Sequence, residues 1–301
     1  MKTILFVLVT VLTLTACGNG GESTGFYDAN GNMISEFRIA MLIDENNPEA
    51  GRASAIFRES LSEVIGIPVT EVEGISHLIG LEAMRGGSLD MMLGSGFTFL
   101  TAESFMDVEF LAMLYNPNAS NANSLFLVGA NQTHINSLAD LENESFAFVD
   151  TASQSGFLFP MYELVSTLGL DHNQMLNPGY FFSDTLLTGN HDASAMAVAN
   201  GNVAGAVVVD VMLDHLVDNG IIDANSFRVI HSVEILASAG YFVPSTLPQE
   251  LIDMVRTFLL EFDDEDFFAT TQGNPNVRFV PHDPAELLPI RSLTQRLEIG
   301  Q

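Results

Sequence analysis

The sequence predicts an α/β protein of two lobes, each a sheet covered by helices. Three observations predict it. Strand-like apolar runs alternate with stretches of helical spacing from residue 37 nearly to the C-terminus, which is the pattern of parallel sheets covered on both faces. About 265 residues follow the N-terminal segment, enough for two compact units. The composition is 47% hydrophobic, which supplies a core and argues against disorder.

The elements follow in chain order. Residues 1–16 read as a secretory leader: Lys2 gives a positive start, and Ile4 to Leu14 is apolar but too short for an ordinary membrane span. Leu14-Thr15-Ala16-Cys17 resembles a bacterial lipobox, which implies cleavage before Cys17 and lipid on its sulfur and new N-terminus; a soluble secreted chain with an incidental cysteine is the alternative. Residues 17–35, rich in Gly, Asn and Ser, read as a flexible tether. Phe37 to Ile43 is the first strand. Ala53, Ile56, Phe57, Leu61, Val64 and Ile65 recur at helical spacing up to the Gly66 stop. Ile67 to Val72 is a second strand. Leu78, Ile79, Leu81 and Met84 suit a short helix ending at Gly86-Gly87. Leu89 to Leu93 is a third strand, and Gly94-Ser95-Gly96 opens another helix. Val108 to Tyr115 and Ser124 to Val128 are further apolar runs.

The alternation then repeats. Ser145 to Val149 is a strand, followed by a helix with Met161, Leu164, Val165 and Leu168 facing inward. Gly179 to Phe182 reads as a short strand, then a helix runs from about Asp192 to Ala199. Val203 to Val209 suits a parallel strand buried on both faces. Phe227 to Val233 and Tyr241 to Val243 follow. The last large helix carries Leu251, Ile252, Val255, Phe258, Leu259 and Phe262 on its apolar face.

Charge removes several functions. The formal net charge is −28, from 10 basic and 38 acidic residues, and Lys2 is the only lysine. A chain that loses its leader therefore has no lysine, which excludes a lysine phosphate loop or Schiff base and disfavours a basic nucleic-acid face. Any bound anion must be held by N–H groups, hydroxyls, His or Arg. Cys17 is the only cysteine, so there is no intrachain disulfide and no thiol nucleophile in the body. No metal or cofactor motif is present: the seven histidines are scattered, and no dinucleotide fingerprint occurs.

Two segments carry the functional signal. The first is Asp150 to Pro160, where Ser153 or Ser155 can cap a helix and Gly156 permits close backbone approach. Hydroxyls beside free N–H groups at a helix start suit tetrahedral oxygens. The second runs from Gly189 through His191 to Asn200 and on to Asp210, with His191 at a helix start and Asp210 ending an apolar strand. Ordinary capped helices, a loop histidine and a loop-capping aspartate would carry the same residues. Ser95 and Gly96 form a candidate facing anion junction or a plain strand-to-helix turn. His77 is a lone histidine on a short helix. Ser153-Gln154-Ser155-Gly156 is not a nucleophile elbow, and no triad partner is placed in sequence, so hydrolysis at Ser153 or Ser155 is disfavoured.

Together these segments resemble the phosphate/phosphite/phosphonate class of ABC-transporter substrate-binding proteins. The resemblance lies in Asp150-x-x-Ser153-x-Ser155-Gly156-x-Leu158-x-Pro160 and in Gly189-x-His191-Asp192-x-x-Ala195-x-Ala197-Val198-Ala199-Asn200. Met84-Arg85, Leu89-Asp90 and Leu288-Pro289-Ile290-Arg291-x-Leu293 add further traces. It implies a type II periplasmic-binding-protein fold, with two α/β lobes joined by crossovers near residues 130 and 237. Lobe 1 would be 36–130 plus 238–301, and lobe 2 would be 131–237. It implies a monomeric receptor, not an enzyme, that delivers a small phosphorus oxyanion to a membrane permease. Ser153, Gln154 and Ser155 would bind phosphorus oxygens, His191 would join them, and Asp210 would accept a hydrogen bond from the ligand. A same-fold receptor for a sulfonate or vitamin precursor, or a module feeding a membrane sensor, are the alternatives. His77, Gly94-Ser95 and Leu236 to Ala239 offer neither an acid nor an aromatic ring, which favours a ligand without an amine.

Overall fold

The structure is a computed structural model of the 301-residue chain, and it describes residues 25–28, 31–41, 48–117, 122–236 and 239–297. The leader, Cys17 and Ser238 lie outside the described residues.

The chain opens with β1 (Phe37–Ala40), α1 (Pro48–Ile65), β2 (Val69–Glu71), α2 (His77–Arg85), β3 (Met91–Ser95), α3 (Gly96–Glu103) and β4 (Val108–Tyr115). It continues with β5 (Ala122–Gly129), β6 (Ser145–Phe148), α4 (Phe159–Leu168), β7 (Asp184–Leu187), α5 (His191–Ala199), β8 (Gly205–Val209), α6 (Asp210–Asp218) and β9 (Phe227–Ile235). It returns through β10 (Ala239–Pro244), α7 (Gln249–Glu261), α8 (Glu265–Gln272), β11 (Arg278–Val280) and α9 (Leu288–Arg296).

Two sheets form. The first has the order β11-β4-β10-β3-β1-β2, and the second β7-β6-β8-β5-β9. Each is parallel at its βαβ end: β1 with β2 and β3, and β6 with β7 and β8. Each also holds antiparallel strands, β10 against β3 and β4 and β5 against β8 and β9. The sheets are therefore mixed rather than purely parallel. The strands that carry the chain between lobes enter against the grain of the βαβ units, because no helix crossover precedes them.

Strand β5 belongs to the second sheet. The chain thus leaves the first sheet between Tyr115 and Ala122, earlier than residue 130; it returns between Ile235 and Ala239. Part of the stretch expected as a tether, residues 17–35, packs on the first lobe where it is described. Phe26 is buried in the first lobe's core with Ile34 packed on the same cluster, the Gly31 N–H donates to the Asp28 carbonyl, and Tyr27 bridges Met33.

Two other expectations differ. Gly179 to Phe182 is not a strand: Phe181 and Phe182 are loop residues buried in the second lobe, with Phe182 stacked on Phe146 at 4.7 Å. The strand is β7, whose residues are largely exposed and so form no apolar run. Asp210 does not end a strand into a loop but begins α6.

The first lobe's core is an aromatic cluster around Phe57, which meets Tyr241, Phe258, Phe262 and Phe267 at centroid distances of 5.1–5.6 Å. Gly240 is required where β10 crosses β4, since a Cβ there would stand 2.2 Å from the Ala112 carbonyl oxygen. Strand β8 is buried throughout, as its valine-rich sequence predicts. One apolar cluster runs from Met92, Phe97 and Phe242 of the first lobe to Phe126 and Phe157 of the second, so the lobes share packed surface.

Candidate functional site

A cavity of about 600 Å³ lies between the lobes. The starts of three helical segments converge on it. They are α2 behind Ser76, the short π-helical turn Gln154–Leu158 behind Ser153, and α5 behind Asn190. Each capping residue accepts from its own first turn: Ser76 from the Ile79 N–H, Ser153 from the Gly156 N–H and Asn190 from the Ala193 N–H. Helix starts present N–H groups that lack intrahelical partners and carry partial positive charge. Three of them facing one cavity make an environment for an anion without any cation. Among the described residues, none lining the cavity is Lys, Arg, Phe or Tyr.

Gly156 lets the Ser153 turn close on β6 and its extension. A Cβ at Gly156 would lie 2.3 Å from the Val149 side chain, so the turn could not sit where it does with any other residue.

The best-defined polar pair is Ser155 and His191. Ser155 Oγ lies 2.9 Å from His191 Nε2, and the Val209 N–H donates to His191 Nδ1 at 3.1 Å. A ring nitrogen that accepts from a backbone N–H carries no hydrogen, so the neutral ring bears its hydrogen on Nε2. His191 therefore donates to Ser155, and the Ser155 hydroxyl hydrogen remains to donate elsewhere. Burial, with His77 nearby, lowers the His191 pKa to about 3. His191 is thus a neutral donor at ordinary pH.

His77 is the first residue of α2 and lines the same cavity. Its Nδ1 is shut off from solvent and has no partner. Burial lowers its pKa, against the opposing charge of Asp150.

Other expected residues are engaged elsewhere. Gln154 lines the cavity, but its Oε1 accepts from the Phe97 N–H at 3.2 Å and its Nε2 donates to the Leu236 carbonyl at 2.6 Å. Ser95 also lines the cavity, but it caps α3, accepting from the Thr98 N–H, while its own N–H donates to Thr98 Oγ1. Gly96 is buried inside α3. The Ser95-Gly96 junction is therefore a closed capping box. Asp210 is not among the lining residues. Its Oδ2 accepts from the backbone and side-chain N–H groups of Asn123, both at 2.9 Å, and its Oδ1 from the Val211 N–H. It anchors the start of β5.

Sequence reading missed several lining groups, chiefly Thr188, Asn190, Ser76 and the acids Glu71, Glu73 and Asp192. These acids weaken the ground for expecting a ligand without an amine, since they line the cavity from outside the stretches on which that expectation rests. Glu71 is occupied by Arg58, 3.5 Å away, and by Ser54. The cap signals at Ser76 and Asn190 were readable; the convergence of the glutamates was not, because they arrive on the end of β2 and the loop beyond it. A larger groove of about 940 Å³ lies by α3 and α9, where Arg291 is paired with Glu103. It has no converging helix starts. Among the described residues, no group of three or more His, Cys, Asp or Glu is placed to hold a metal, and no helix is long and apolar enough to cross a membrane.

Two mixed α/β sheets, an interlobe cavity and helix starts converging on it define a two-lobed ligand-binding protein of the type II periplasmic fold. Residues 39–287 match the family model for the phosphonate periplasmic substrate-binding protein of ABC transporters, and the chain belongs to that family. It is 24% identical over 245 residues to the phosphate-import protein PhnD of Mycolicibacterium smegmatis, covering 76% of this chain and 74% of that one. The fold is similar to the binding component of an ABC phosphonate transporter from Pseudomonas aeruginosa. That match has a TM-score of 0.73 and 20% identity, covering 87% of this chain and 86% of the other. It is also similar to a Prochlorococcus marinus protein in complex with methylphosphonate, with a TM-score of 0.70 and 17% identity over 88% and 99% of the chains.

Proposed function

We propose that this chain captures a small phosphorus oxyanion, namely phosphate, phosphite or a short alkyl phosphonate, and presents it to an ABC permease. The observation that carries this reading is the hydroxyl of Ser155, turned into a donor by neutral His191 beside the Ser153 helix start. Uncharged donors and helix dipoles in a partly desolvated cavity favour an anion even in a chain of net charge −28: most of the acids are distant and screened, and of the lining acids Glu71, Glu73 and Asp192, which oppose an anion, Glu71 is offset by Arg58. Binding is non-covalent and closes the two lobes. The chain works outside the cytoplasmic membrane, held by lipid on Cys17.

The Ser155–His191 contact has the appearance of a nucleophile and its base, but its polarity supports binding over hydrolysis. A general base needs an unprotonated Nε2 facing the serine and a hydrogen on Nδ1. Here Nδ1 accepts and Nε2 donates.

Calorimetric titration with phosphate, phosphite, methylphosphonate and ethanesulfonate tests the reading. Micromolar or tighter binding of one phosphorus compound is expected, with the sulfonate weaker. Binding of no phosphorus compound below millimolar overturns it.

A further inference from the structure

Gln154 stands at the centre of the expected anion loop, yet both ends of its amide are held by protein. The residue is 5% exposed. Its Oε1 accepts from the Phe97 N–H, in the first turn of α3 on the first lobe. Its Nε2 donates to the Leu236 carbonyl, at the end of β9 where the chain passes back towards the first lobe. One residue of the second lobe thus joins the first lobe and the return passage.

Its neighbours add two more ties in the same direction. Asp150 Oδ2 accepts from the Leu78 N–H of α2 at 3.1 Å, and the Ala152 carbonyl accepts from Thr98 Oγ1 at 3.0 Å. All of these links leave residues 150–154 for the facing lobe or the passage. The Phe97 and Leu78 N–H groups are first-turn donors with no intrahelical partner. Separating the lobes returns them to water and breaks the Phe97–Gln154 bond, while the bond to Leu236, on the second lobe's side of the passage, holds the amide in position to make it. A contact made only in the closed arrangement shifts the open–closed equilibrium by its own free energy, whatever occupies the cavity.

We propose that Gln154 is a clasp: it biases the cleft towards closure through protein contacts, and it sets ligand affinity as a positioning residue rather than through free polar atoms aimed at the anion. The reach of its side chain is essential, since Thr or Ala cannot span from Phe97 to Leu236.

Pulsed electron resonance between spin labels tests the clasp. The labels sit at Glu59→Cys on α1 and Asp218→Cys on α6, in a Cys17→Ser background. Without ligand, the chain with Gln154 shows a predominant closed distance, and Gln154→Ala and Gln154→Thr shift the population to a longer one. Gln154→Glu keeps the acceptor, loses the donor to Leu236 and gives an intermediate population. Ligand-free distributions identical in all four proteins overturn the clasp, and two shortening substitutions protect against one failing to fold. This comparison uses no ligand, so failure of phosphorus compounds to bind leaves it intact. A second arm rests on the proposed function: methylphosphonate leaves both shortened variants faster, on the order of tenfold for two lost neutral hydrogen bonds. Unchanged dissociation rates in variants that bind it count against the clasp.

Discussion

The backbone N–H of Val209 donates to Nδ1 of His191 across 3.1 Å. This contact joins the end of β8 to the start of α5 and decides which ring nitrogen holds the hydrogen. Nitrogen-15 NMR of histidine-labelled protein is expected to show His191 as the Nε2–H tautomer, unchanged between pH 8 and pH 5. A protonated ring, or the opposite tautomer, would remove the basis for Ser155 as a donor.

The same ring makes stability depend on acidity. The folded His191 pKa is lowered to about 3, below its value in the unfolded chain. As pH falls below about 6.5 the unfolded chain takes up a proton that the folded protein refuses, so stability is lost on acidification and not on alkalinisation. Between pH 7.5 and pH 5.5 this one group accounts for about 1.4 kcal/mol. Urea unfolding at both pH values is expected to show that much less acid sensitivity in His191→Asn than in the parent.

Removing the Ser155 hydroxyl is expected to weaken anion binding by about 10- to 100-fold, since a hydrogen bond to a charged acceptor contributes about 1.5–3 kcal/mol. Calorimetry of Ser155→Ala with the best phosphorus ligand measures it. An affinity within twofold of the parent would place the anion elsewhere.

Asp210 separates a structural from a ligand-binding role. Asp210→Ala strips the acceptor from both Asn123 donors and is expected to destabilise the fold by about 2–3 kcal/mol in denaturant melts. Ligand affinity is expected to stay within about threefold, a difference under 1 kcal/mol. A stable variant that no longer binds would return Asp210 to the site.

Gly156 tests packing beneath the anion turn. Gly156→Ala drives a methyl group into Val149 and is expected to cost about 2 kcal/mol of stability, in the range of core overpacking. Chemical denaturation is the measurement.

The sequence by itself determined what is local. Periodicity marked α1, α7 and the buried β8, and turn and cap residues marked the starts at Ser153 and His191. The lack of any lysine beyond Lys2 excluded a lysine phosphate loop before any geometry was known, and only the folded cavity showed that, among the described residues, no arginine lines it either. The local features depend on neighbours a few residues apart, so spacing and residue type reveal them. Tertiary structure alone decided the rest. Strand β5 reads like any apolar run, and only its pairing with β8 and β9 assigns it to the second lobe. Asp210 reads as a ligand acceptor until Asn123, 87 residues earlier, occupies it. Gln154 reads as an anion contact until Phe97 and Leu236 take both ends of its amide. A side chain's role depends on which distant donors and acceptors reach it first, and that is set when the lobes pack together, not by spacing along the chain.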